Sequence, residues 1–137
     1  SNEKLAKLYS TEFYRNIEAR LAPEGVMVTQ ATSTFFSPHA FSTVASTVAA
    51  AQPDRQILPF STNVPSFGEW GFVLSTRTQQ NLISQPLPKG LTYQDRKTLE
   101  FIMRTKPART EFMEPSTLLH PRIVEVYNQD MRQWRYY

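Results

Sequence analysis

The order helix, strand, helix and then two strands joined by a short connection predicts an α/β fold. In detail it is the second half of a Rossmann-like sheet, closed by an antiparallel strand pair and followed by a helical C-terminal tail. Three observations predict it: apolar residues at i, i+4 and i+8 from Phe13, a β-branched run after Gly25, and a Ser37-Pro38 helix start before a second apolar stripe. The 137 residues, 40% hydrophobic and 20% charged, suit one globular domain with a real core.

Ser10 is the expected N-cap of the first helix, with Phe13, Tyr14, Ile17 and Leu21 on one face and Arg15, Glu18 and Arg20 on the other. Pro23 and Gly25 stop it. Val26-Met27-Val28-Thr29-Gln30-Ala31 reads as a strand buried on both faces, as in a parallel sheet. Ser37 and Pro38 then occupy the N-cap and N1 positions of a helix whose stripe is Phe41, Val44, Ala45, Val48 and Ala49, broken at Gln52-Pro53-Asp54. Residues 56–64 are extended, and Pro59 marks an edge strand or bulge. Residues 65–69 form a turn, and residues 70–75 a further strand. A polar, proline-broken connector spans 77–90. A helix over 91–106 carries Leu99, Ile102 and Met103 and ends at Pro107. Residues 115–119 are a loop, and 121–134 a last helix with Ile123, Val124, Val126, Tyr127 and Met131. The expected organisation is therefore 1–2, a residue of a removed purification tag; 3–76, a partial Rossmann-like domain; 77–90, the connector; and 91–137, a helical extension. Ser1-Asn2 without an initiator methionine fits a piece cut from a longer protein.

Composition excludes much chemistry. With no cysteine there is no disulfide, thiolate metal site or cysteine nucleophile, and two histidines 81 residues apart are too few for a histidine-built metal site. The four glycines form neither GxGxxG nor GxxxxGK, so no phosphate-cradling loop is present. No apolar run approaches the ~18 residues that a membrane span needs. Residues 1–88 carry six basic and six acidic side chains and residues 89–137 nine and six, a weakly basic tail that reads as a solvated surface rather than a nucleic-acid footprint. Tyr127, Arg132, Trp134, Arg135, Tyr136 and Tyr137 likewise read as an amphipathic terminus before a nucleic-acid platform. Glu69 is a solvated turn acid or a substrate carboxylate. Phe35 and Phe36 are core contacts between sheet and helix or pocket-lining rings. Ligands in such sheets bind beyond the carboxyl ends of the strands, which places Gln30 and the 31–37 loop near any site; by spacing alone Gln30 is a polar residue ending a strand.

Specific wording goes further. Leu8-Tyr9-Ser10-Thr11-Glu12-Phe13-Tyr14, Leu21-Ala22-Pro23-Glu24-Gly25-Val26, Val28-Thr29-Gln30 and Val64-Pro65-Ser66-Phe67-Gly68-Glu69-Trp70-Gly71-Phe72 occur in this order. Together they resemble the C-terminal half of the spermidine synthases, the polyamine aminopropyltransferases. The 65–72 stretch most resembles the bacterial branch whose full-length members carry a membrane-embedded N-terminal region. The resemblance covers residues 5–76 well and the tail loosely. It implies a methyltransferase-like fold, and transfer of an aminopropyl group from decarboxylated S-adenosylmethionine to putrescine, giving spermidine and methylthioadenosine. The co-substrate is consumed, so no resident cofactor and no metal are implied. A protonated diamine cannot attack carbon, so an acidic residue must take its proton, and both reactants must be aligned for in-line displacement.

Two substrate-binding residues carry over. Gln30 matches the glutamine at the end of this strand that helps bind the amine. Phe67 stands where the family usually has a tyrosine; its ring can pack on methylenes or attract a cation but has no hydroxyl to accept a hydrogen bond. The family's nucleotide loop and ribose-binding acid lie in the first half of its fold, and its catalytic aspartate motif lies just upstream of the Leu8-Tyr9-Ser10 stretch. The first aspartate here is Asp54, so no catalytic residue is expected in this chain, and the general base is expected upstream. The expectation is an inactive fragment of an aminopropyltransferase, a transferase as the full protein. Half of an S-adenosylmethionine-dependent methyltransferase, or a non-catalytic oligomerisation or regulatory domain of the same fold, are the alternatives. A putrescine-like diamine and further copies of the chain are the expected partners, with no nucleic acid. The expected location is a cytoplasmic domain of a protein anchored in the bacterial inner membrane.

Overall fold

The computed structural model of the chain describes residues 3–77, 86–91, 95–104 and 110–135. Ser1-Asn2, most of the connector, the helix end at Pro107 and the terminal Tyr136 and Tyr137 lie outside the described residues. The element order is α1 (Glu3–Ala6), a 3-10 turn (Lys7–Tyr9), α2 (Thr11–Glu18), β1 (Val26–Gln30), α3 (Pro38–Ala51), β2 (Gln56–Val64), β3 (Gly68–Thr76), α4 (Arg96–Arg104) and α5 (Arg122–Arg132).

The three strands form one sheet in the order β1-β3-β2. β3 runs antiparallel to both neighbours, with Val26↔Thr76 to Gln30↔Phe72 on one side and Gln56↔Thr76 to Val64↔Gly68 on the other. β1 and β2 therefore point the same way, α3 carries the chain between them, and β3 returns into the gap. The closing pair is a tight hairpin: Phe67 N donates to Val64 O at 3.0 Å, and Ser66 at φ 73° and Gly68 at φ 76° supply the left-handed backbone of the turn. As Pro59 foretold, β2 is an edge strand, with Pro59 opposite Val73.

The expectation that β1 is a parallel strand buried on both faces is corrected. Among the described residues β1 pairs only with antiparallel β3; Met27 is buried, but Val26 is 47% and Val28 53% exposed. α2 and α3 cover one face, with Tyr14, Phe41, Val44 and Val48 packed on Met27 and Val73, while α4 lies against β2. The apolar run Val26-Met27-Val28 carries no alternation that could reveal an exposed second face.

Helix starts are set by local chemistry. Ser10 Oγ accepts from Phe13 N at 3.2 Å and donates to Lys7 O at 2.9 Å, so the cap of α2 stands as expected. Ser37 occupies the cap position of α3 with Pro38 at the first turn, but its hydroxyl turns back to Ser33 O (3.1 Å) rather than capping. A residue far along the chain does the capping: Asp130 of α5, 3% exposed, accepts from Ala40 N at 2.9 Å and pairs with His39 Nδ1 at 2.6 Å. α4 begins later than residue 91 because the Asp95 carboxylate accepts from Thr98 N at 2.7 Å.

The stripe of α3 also needs correction. Ala49 is exposed, whereas Ser42, Thr43 and Thr47 are buried. Each of these hydroxyls donates to a carbonyl one turn back (2.9, 2.8 and 2.6 Å). The extended strap at 110–117 then docks on this face, with Glu111 N, Met113 N and Ser116 N donating to Ser42 Oγ, Ser46 Oγ and Thr47 Oγ1 at 3.3, 3.0 and 2.9 Å. Small hydroxyls can be buried here because both helix and strap satisfy them.

A second polar cluster ties α2 to the sheet. Gln52 Nε2 donates to Tyr14 O (3.1 Å) while its carbonyl accepts from Ser75 Oγ (2.5 Å). Buried Arg55 donates to Gly25 O at 2.7 Å and to the Glu18 carboxylate, which also holds Arg77 at 2.5 Å.

Candidate functional site

The site is built at the carboxyl end of β1. Beyond Gln30 the strand is pinned to β3 by Ala31 N donating to Gly71 O (2.8 Å) and Gly71 N donating to Thr32 O (2.7 Å). Position 71 must be glycine: a Cβ there would lie 2.4 Å from the Phe41 ring and 2.9 Å from Thr32 O. Thr32 is β-branched yet sits at φ 67°, a conformation costing about 1–3 kcal/mol. It is held there by the Gly71 bond and by Thr32 Oγ1 against Ser37 Oγ at 3.0 Å. This strained corner turns the chain away from the sheet and leaves a hollow beside it.

The hollow is a cavity of about 280 Å³. Its sheet side is Gln30, Ala31, Thr32 and Trp70, with Val44 of α3 behind them. The opposite side comes from the two ends of the described chain: Leu5, Ala6 and Tyr9 near the start, and Ile123, Val124 and Tyr127 on α5. Among the described residues no charged side chain lines it; its polar groups are an amide and hydroxyls on otherwise apolar walls. Burial pushes the Tyr9 phenol above its ordinary pKa, partly offset by the hydrogen bond from the Gln30 side chain. Tyr14, deeper in the core, is raised further by burial despite its contact with Thr29 Oγ1 at 3.4 Å. An apolar sleeve with an amide at its mouth can hold a methylene chain and orient a polar end. Its lining residues supply no group that removes a proton at neutral pH.

Of the residues singled out in the sequence, Gln30 lines the cavity and Phe67 does not. Phe67 stands at the hairpin tip, 67% exposed, and reaches the site only through edge-on contact with Trp70 (centroids 5.5 Å, 62°). Glu69 is exposed on β3 and accepts from Ser61 Oγ at 2.5 Å, away from the cavity. The expected core contact of Phe35 and Phe36 is corrected: they are 62% and 48% exposed. Ser33 Oγ accepts from the Phe35 and Phe36 amides (3.3 and 3.1 Å), a turn that throws both rings outward onto Trp134 at 5.5 and 5.2 Å. Trp134 Nε1 also donates to Phe36 O at 2.9 Å, so this residue of the basic-aromatic terminus docks the tail, while Tyr127 lines the cavity. Tyr9 and Trp70 were missed as lining residues, although both lie inside the sequence stretches quoted above.

Among the described residues no helix is long and apolar enough to cross a membrane. The chain matches the family model for the spermine/spermidine synthase domain over residues 2–85. The polyamine aminopropyltransferase 1 of Streptomyces coelicolor is 38% identical over 138 residues, covering 97% of this chain and 25% of that protein. The polyamine aminopropyltransferase of Mycobacterium tuberculosis is 38% identical over 132 residues, covering 93% and 24%. A crystal structure of a spermidine synthase in complex with the transition-state analogue AdoDATO has a TM-score of 0.60 at 17% identity, covering 72% of this chain and 36% of that one, and shares its fold. The chain thus spans about a quarter of the length of the curated relatives it matches.

Proposed function

The chain belongs to the spermine/spermidine synthase family, and from that premise we propose that it forms the amine-side wall of a longer aminopropyltransferase making spermidine from putrescine and decarboxylated S-adenosylmethionine. The observation that carries this is Gln30 at the carboxyl end of β1, opening an uncharged apolar cavity beside Trp70 and Tyr9. In the reaction the amine lone pair attacks the carbon next to the sulfonium, the carbon–sulfur bond breaks and methylthioadenosine departs. The proton on nitrogen goes to a carboxylate supplied by the rest of the protein. The residues of this chain exclude water from the methylenes and align the amine, the Gln30 side-chain carbonyl accepting from its N–H. Phe67 belongs to the rim, acting on substrate through the Trp70 ring. Curated relatives named for aminopropyl transfer favour this reading over methyl transfer or a non-catalytic role.

The same proposal makes the domain cytoplasmic, joined to a membrane-embedded region of the longer protein; its support is the resemblance of residues 65–72. It also includes self-association, supported by the open edge and bare valines of β1. Calorimetric titration of the 137-residue chain with decarboxylated S-adenosylmethionine tests the division of labour. No binding is expected up to high micromolar concentration, and micromolar affinity would contradict it.

A further inference from the structure

Resting on the aminopropyl-transfer reading above, we propose that α5 is the specificity wall of the cavity, and that Val124 and Tyr127 set the length of amine it accepts. The sheet side of the cavity is dictated by the fold: Gly71 cannot change without striking Phe41, Thr32 is locked by two hydrogen bonds, and Val44 is a core residue of α3. The α5 side is free of that constraint. Val124 and Tyr127, three residues apart on one helical face, line the cavity, while the helix is fastened by Asp130 and Trp134, which do not line it, and by the backbone N–H of Ile123. Asp130 caps α3 through Ala40 N, Trp134 bonds Phe36 O, and Ile123 N donates to Ser116 Oγ of the strap at 3.3 Å. The wall is therefore rigidly placed yet variable in the side chains it presents, the arrangement in which a change of volume alters the ligand rather than the fold. An apolar pocket distinguishes ligands differing by one methylene by about 10–200-fold. With so small a cavity, the bulk of Val124 and Tyr127 decides whether one more methylene fits.

The test is a ratio. In the full-length protein carrying this chain, kcat/KM is measured for three-, four- and five-carbon α,ω-diamines with Val124→Ala, Val124→Phe, Tyr127→Leu and Tyr127→Phe, folding being checked by circular dichroism. Val124→Ala and Tyr127→Leu are expected to shift the five-to-four-carbon ratio upward by about tenfold, and Val124→Phe to shift preference toward the three-carbon amine. Tyr127→Phe, which keeps the ring, leaves the ratio within about twofold. Ratios unmoved in all folded, active variants would overturn the proposal. If the unsubstituted protein transfers no aminopropyl group, the functional reading fails by itself. The wall is then read by binding, titrating the 137-residue chain with n-alkylamines of graded length and following its tryptophan fluorescence. A length optimum displaced by Val124→Ala sustains the α5 wall, and an unchanged optimum overturns it.

Discussion

Asp130 offers the sharpest perturbation, because one buried carboxylate joins the last helix to the start of α3. In Asp130→Ala the Ala40 N–H loses its acceptor at 2.9 Å and His39 Nδ1 its partner at 2.6 Å. An orphaned buried donor costs about 1–3 kcal/mol, and loss of a helix cap about 0.5–2 kcal/mol, two descriptions that overlap at the Ala40 amide. Adding the His39 bond and the small void left behind, the net loss is about 2–4 kcal/mol. With a urea slope of about 2 kcal/mol per molar for a domain of this size, the midpoint falls by about 1–2 M at unchanged slope. Asp130→Asn keeps an oxygen for Ala40 N and should lose roughly half as much. The assay is urea unfolding followed by far-ultraviolet circular dichroism and by tryptophan fluorescence, whose coincidence checks that α5 and the sheet unfold together. A midpoint within about 0.3 M of the unsubstituted chain for Asp130→Ala would refute the claim that this contact fastens the cavity wall.

Two further outcomes follow from the same structure. Burial alone would raise the Glu18 carboxyl pKa, but hydrogen bonds from Arg77 and Arg55 outweigh it and hold the carboxyl below its ordinary value. Its folded pKa being depressed, Glu18 contributes stability that is fully present above the unfolded value of about 4.3 and is lost as pH falls through the folded value. Glu18→Gln should therefore cost about 1–3 kcal/mol at neutral pH, with the difference closing below the usual carboxylate range; a pH-independent difference in denaturant melts would contradict this. The 137-residue chain should also self-associate through the open edge of β1, so light scattering at low concentration should give at least a dimer mass, with Val28→Lys restoring the monomer. A clean 15.8 kDa particle for the unsubstituted chain would contradict it.

How far the fold was legible follows from what the sequence encodes locally. Ser10 as cap, Pro38 at the first turn and Pro59 on an edge are local signals that stand where expected, and the turn after Val64 is present but shorter than 65–69, Gly68 and Glu69 already belonging to β3. The bare face of β1 was not legible, since Val26 and Val28 look the same whether covered or exposed. Nor was the burial of Ser42 and Thr47, because they also accept from backbone groups of a strap almost seventy residues later in the chain. Asp130 as a cap for α3 is the same kind of long-range fact. At the site, strand-end logic and family wording placed Gln30 at the cavity. Trp70 and Tyr9 lay within those same words without a role, and the α5 wall needed the tail to be folded back before it could be seen.

The central claim, that this chain binds the amine while the rest of the protein binds the nucleotide and takes the proton, is tested most directly by Gln30→Ala in the full-length protein. Formation of methylthioadenosine is followed while each substrate is varied in turn. Loss of one hydrogen bond to a charged amine should lower kcat/KM for putrescine by about 10–100-fold. The KM for decarboxylated S-adenosylmethionine should stay within about twofold, because Gln30 makes no contact with the nucleotide side in this account. An equal loss toward both substrates, or no loss toward putrescine, would contradict it.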